Sequence, residues 1–104
     1  PTMMFDEVDA GVGGEIAEIV GDRLRSIGNN AQGISVTHLP QVAAQGHNHF
    51  RVKKITDLEA NTVHTNVQHL NDEQRRAEIA RMLGGRDITN TTMAHAQELL
   101  SKAI

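Results

Sequence analysis

Cysteine is missing from all 104 residues, which removes disulfides, thiolate metal sites and cysteine nucleophiles together. Such a chain fits a cytoplasmic setting. Phe5 and Phe50 are the whole aromatic content, with no tyrosine or tryptophan, and this argues against recognition of single strands by base stacking. Positive charge is not in excess either. The formal net charge of −3 speaks against a nucleic-acid surface built by this segment alone. No apolar run approaches the length of a membrane span, and the start carries no signal-peptide pattern. The lysine-bearing phosphate loop, G-x-x-x-x-G-K-S/T, occurs nowhere. Gly11-Val12-Gly13-Gly14 lacks that lysine, and the acids Asp6, Glu7 and Asp9 just before it would repel phosphate. Pro1-Thr2 runs directly into an apolar stretch, so we expect a piece of something longer, forming one small domain with little core to spare.

What is present centres on Met3-Met4-Phe5-Asp6-Glu7. An apolar run that stops at an acid pair reads as a buried strand, residues 2–6, delivering charge to a sheet edge. In open α/β sheets that edge is where ligands sit. Asp6 and Glu7 point to opposite faces unless the chain turns, so one carboxylate can hold magnesium while the other activates water. The alternative is that the pair caps the next helix. Val8 to Gly14 is a loop whose glycines permit positive φ.

A helix is predicted from about Glu15 to Ile27, with Ile16, Ile19, Val20, Leu24 and Ile27 on one face and Gly28 as its stop. Gly33 to Thr37 reads as a second strand ending at His38. Strand, helix and strand in this span make a βαβ unit with parallel strands. Asp6-Glu7 and His38 then leave the sheet at the same edge.

Leu39 to Gln45 suits a short helix, with Pro40 in its first turn. Asn48 to Ile55 and Thr62 to Leu70 alternate in polarity and predict an antiparallel hairpin with one wet face. Asn71 and Gln74 have capping-box spacing before a helix running to Leu83, which buries Ile79, Ala80, Met82 and Leu83. A last helix follows Thr89-Asn90, with Met93, Ala96, Leu100 and Ala103 inward. His47, His49, His64 and His69 invite a zinc reading, which needs three or four converging ligands. A solvated polar face is the competing explanation. Arg51, Lys53 and Lys54 could likewise touch DNA phosphates or simply lie on the hairpin's wet face.

Phe5-Asp6-Glu7-Val8-Asp9-Ala10-Gly11-Val12-Gly13-Gly14, followed by Val36-Thr37-His38-Leu39-Pro40-Gln41-Val42-Ala43-Ala44, resembles the C-terminal end of the RecN DNA repair proteins, relatives of the SMC and ABC-type ATPases. The resemblance continues through Ala80-Arg81-Met82-Leu83-Gly84-Gly85 and Thr92-Met93-Ala94-His95-Ala96. It implies an α/β fold, part of a P-loop NTPase head, with a parallel βαβ core, a β-hairpin and two C-terminal helices. Residues 1–104 would be the C-terminal fragment of that head domain.

By the same resemblance, Met3 to Asp6 is the Walker B strand, with Asp6 acting on Mg2+. Glu7 is the general base and His38 the switch histidine at the γ-phosphate. Val8 to Gly14, including Asp9, Gly11, Gly13 and Gly14, is the D-loop that crosses between paired heads. The implied cofactors are ATP and Mg2+ in the full-length parent. The implied partners are the N-terminal half of the head, a second head across an ATP-dependent dimer, and DNA, in a nucleoid-associated setting without a membrane. Walker A, the signature motif and the coiled coil are absent, so the fragment alone is expected to be inactive. Its exposed edges favour self-association. The alternative reading is a non-catalytic association module of a larger protein.

Overall fold

The computed structural model describes residues 2–6, 11, 13–84 and 88–102; Glu7 and Asp9 of the expected site, and Ala103, lie outside the described residues. The elements run β1 (Thr2–Asp6), α1 (Gly14–Gly28), β2 (Gln32–Val36), α2 (Pro40–Ala43), β3 (Phe50–Asp57), β4 (Thr62–His69), α3 (Asp72–Gly84) and α4 (Asn90–Lys102). This is the expected α/β arrangement, with a parallel β1–β2 pair and an antiparallel β3–β4 hairpin as two separate sheets.

β1 and β2 are in register from Thr2 opposite Gln32 to Asp6 opposite Val36, and α1 is the crossover between them. Strand side chains alternate between faces. A Cβ at Gly33 would meet the Phe5 ring at 3.8 Å and Ile27 at 4.0 Å, so α1 covers the face bearing Phe5 and Gly33. The opposite face has no such cover: Met4, Ile34 and Val36 are 71%, 48% and 46% exposed. The expectation of a buried strand at residues 2–6 is therefore corrected. A parallel sheet is apolar on both faces because a layer normally packs on each, and this chain places a helix on only one.

α1 buries a different stripe from the one its large residues suggest. Ala17 and Gly21 are buried, whereas Ile16 and Ile19 are more than half exposed. The cause is the close approach of α2. A Cβ at Gly21 would come to 3.0 Å from the Gln41 carbonyl oxygen and 3.2 Å from the Val42 Cα.

The hairpin pairs Phe50 with His69, Val52 with Val67 and Thr56 with Val63. The single wet face expected of it is also corrected: every residue of β4, and all of β3 except Arg51, is exposed. α3 and α4 carry the main core. Ala44, Ile79, Ala80, Ala96 and Leu99 cluster there, with Met82, Leu83, Met93 and Leu100 packed against them. Leu99 is a core residue that the predicted stripe on the last helix omitted. The capping box forms as its spacing requires: the Gln74 amide donates to Asn71 Oδ1 at 2.8 Å and the Asn71 amide to Gln74 Oε1 at 3.0 Å. Thr89 and Thr92 make the equivalent exchange before α4.

Candidate functional site

The parallel register puts the end of β1 beside the end of β2. Asp6 lies opposite Val36, and His38 follows two residues later; both are exposed. Because faces alternate along a strand, Asp6 shares the uncovered face with Met4, at its carboxyl edge. The glycine run arrives at the same end. Gly11 takes φ +79, the left-handed region glycine enters without a Cβ penalty. Gly13 is the N-cap of α1 and makes no side-chain cap. A Cβ at Gly11 or Gly13 would meet nothing within 4 Å, while one at Gly14 would touch Gln41 Nε2 at 3.3 Å. Thus Asp6, the described part of the glycine loop and the His38–Gln41 segment gather at one edge. Glu7 and Asp9 lie in the undescribed stretch between them.

The segment behind His38 is held from three sides. The Leu39 amide donates to Thr37 Oγ1 at 3.0 Å, shaping the turn out of β2. Pro40 is buried at the start of α2. Past the other end of this four-residue helix, Arg25 of α1 donates to the Gln45 carbonyl at 2.8 Å. Arg75 of α3 donates to the carbonyls of Ala43 and Ala44, each at 3.0 Å, and to that of Gly46. Carbonyls at a helix C-terminus have no intrahelical partners and carry partial negative charge, so guanidinium groups suit them. Burial, and then the charge of Arg25, lower the pKa of Arg75 from its usual value, and Asp72 opposes them. Neither arginine was singled out from sequence. Nothing local separates Arg75 from Arg76, and only the packing of α3 on α2 assigns the clamp.

A second cluster ties the hairpin to α3. Glu78 is 6% exposed. It accepts from Arg81 Nε at 3.0 and 3.1 Å and pairs with Arg51 at 3.5 Å. Burial pushes its carboxyl up, but the hydrogen bonds and charges of Arg81 and Arg51 outweigh this and hold it below the usual carboxylate range. Arg51 is thus committed to an internal ion pair. Next to it, His49 has a buried Nδ1 without a hydrogen-bond partner among the described residues. Burial, then the Arg75 charge, lower its pKa, opposed by Glu78.

Among the described residues no group of three or more histidines and carboxylates is arranged to hold a metal ion. The hairpin histidines are engaged locally instead. His47 Nε2 lies 3.1 Å from Asn29 Oδ1, His64 Nε2 lies 3.3 Å from Thr62 Oγ1, and His69 stacks at 4.8 Å on Phe50. No described helix is long and apolar enough to cross a membrane.

No protein-family model matches the chain. Curated proteins do. The chain is 51% identical over 102 residues to the DNA repair protein RecN of Xylella fastidiosa and 48% identical over 103 residues to that of Vibrio cholerae. It is 46% identical over 103 residues to that of Streptomyces coelicolor. These alignments take in 98–99% of this chain but 18% of each relative, so the chain spans less than a fifth of their length. Among solved structures it is similar to one from work on ATP-driven dimerization and DNA-stimulated activation of SMC ATPases. That match has a TM-score of 0.66 at 18% identity and covers 84% of this chain and 50% of the other. At that identity the likeness shows the fold, that of an SMC-type ATPase head. The chain belongs to the RecN DNA repair protein family, as a segment from its C-terminal part.

Proposed function

We propose that this segment supplies the catalytic carboxylates and the switch histidine of an ATP-hydrolysing protein that acts in DNA double-strand-break repair and recombination. The observation that carries the reading is the parallel register of β1 and β2, with Asp6 opposite Val36 and His38 just beyond. Asp6 offers the hard oxygen donor that magnesium prefers, at an exposed edge. When bound, a magnesium nucleotide supplies the γ-phosphoryl group with its charge partly neutralised.

The chain's own residues do the rest. Asp6 orients the metal, commonly through water. Glu7 accepts the proton of the attacking water. His38 donates toward the γ-phosphate, from a position fixed by the clamp on α2. The loop carrying Asp9, Gly11, Gly13 and Gly14 reaches across to a second head. ATP and Mg2+ belong to the assembled parent, because the phosphate cradle and signature motif are contributed by the N-terminal half of the head. DNA is engaged by the full-length protein, in a cytoplasmic, nucleoid-associated setting.

The test is complementation. The chain alone should show no ATP turnover. Mixed with the N-terminal portion bearing the lysine phosphate loop, it should hydrolyse ATP, and Glu7→Gln should abolish that activity. Activity surviving the substitution would remove Glu7 as the base. A second reading, a non-catalytic association module, is favoured by the uncovered apolar faces of both sheets. It predicts a stable complex without turnover.

A further inference from the structure

The hairpin is amphipathic in the wrong sense for this chain. Side chains on paired strands share a face two residues apart. One face carries Arg51 and Gln68, and its base lies against α3 through the Arg51–Glu78 pair. The other carries Phe50, Val52, Val67 and, toward the turn, Val63, which are 57%, 64%, 59% and 64% exposed. A two-stranded ribbon is marginal by itself, and strands ordinarily bury their apolar side. Here the polar side faces the protein and the apolar side faces water. Phe50 is not free to fold away, since its ring is stacked on His69 across the hairpin.

The geometry points to a specific occupant: the apolar face of β3–β4 is the seat of the part of the same head that lies outside this chain. Two further observations support that choice. The solved SMC-type head is about twice as long as its match here, since the chain covers 50% of it. And the β1–β2 sheet is open in the same way at Met4, Ile34 and Val36, so the chain lacks a covering layer in two places at once. The occupant should therefore be an apolar sheet or helix face contributed by the remainder of the polypeptide. The inference rests on reading the chain as part of a larger head, but it does not depend on any catalytic role for Glu7 or His38.

The absence of native cysteine gives a direct test. Val52→Cys and Val67→Cys are introduced singly into the isolated chain, and into the longer family protein carrying this segment with its other cysteines replaced by serine. Glu59→Cys, in the exposed hairpin turn, serves as reference. Modification rates with a thiol reagent are measured without nucleotide. In the isolated chain all three sites should react at similar rates. In the longer protein the sites at 52 and 67 should react at least about tenfold more slowly than the reference, as closed surfaces do when only rare openings expose them. Equal rates at all three sites in the longer protein would overturn the proposal. So would equal protection in the isolated chain that grows with its concentration, because the occupant would then be a second copy. Protection combined with ATP hydrolysis that survives Glu7→Gln would leave the docking surface standing and the catalytic reading fallen.

Discussion

At the scale of single residues, two side chains decide more than their sequence context suggests. Arg75 serves the carbonyls of Ala43, Ala44 and Gly46 from a partly buried position. Removing it leaves helix-end carbonyls unpaired in a low-dielectric site, a loss of the size of a charged hydrogen bond or more. Arg75→Ala should therefore cost roughly 2–3 kcal/mol of stability in chemical denaturation, and Arg75→Lys should recover only part, since one ammonium cannot reproduce the guanidinium fork. His49 predicts a pH dependence. Its folded-state pKa lies below the usual 6.5, so the folded chain binds fewer protons than the unfolded one. Stability is then full above pH 6.5 and falls as pH drops through 6.5 toward the folded value. Glu78, also lowered in the fold, adds a second loss below its usual 4.5. Urea midpoints measured from pH 8 to pH 4 should decline in that order, and His49→Leu should flatten the first step.

At the scale of elements, boundaries followed local signals closely, but faces did not. The capping pair Asn71–Gln74 fixed the start of α3, and Pro40 fixed that of α2, because those bonds and constraints are made within a few residues. Which stripe of α1 is buried was not legible. Hydrophobicity marks Ile16 and Ile19, while packing against α2 selects Ala17 and Gly21, because only small residues let the backbones approach so closely. Gly21→Ala tests this. Helix propensity alone would favour alanine by about 1 kcal/mol. The Cβ would nevertheless press on the Gln41 carbonyl and the Val42 Cα, and overpacking costs typically about 1–3 kcal/mol. A net loss of stability, read as a lower denaturation midpoint, is expected.

At the scale of the whole molecule, the chain is looser than its length predicts. Its radius of gyration is 14.7 Å, against about 13 Å for a compact domain of this size. Ile79 is the largest fully buried side chain, and the described core is otherwise mainly alanine, leucine and valine. A core this small should give an unfolding free energy no greater than about 3–5 kcal/mol. Adding the remaining half of the head should raise the denaturation midpoint in proportion to the logarithm of its concentration, by linkage to the folded state. A midpoint indifferent to that addition would count against docking in the folded form.

The sequence by itself determined the order of elements, the parallel crossover and the convergence of Asp6 and His38 on one edge, because each depends on local periodicity or on the handedness and direction of a βαβ unit. The family could be read as well, since its motifs are contiguous in the chain. Tertiary structure alone decided the clamp of Arg25 and Arg75 on α2, the burial of Glu78 between two arginines, and the turning of the hairpin's apolar face toward solvent. Those features depend on which surfaces meet. A strand's alternating pattern tells which side is apolar, but whether that side is covered depends on what else is there to pack on it.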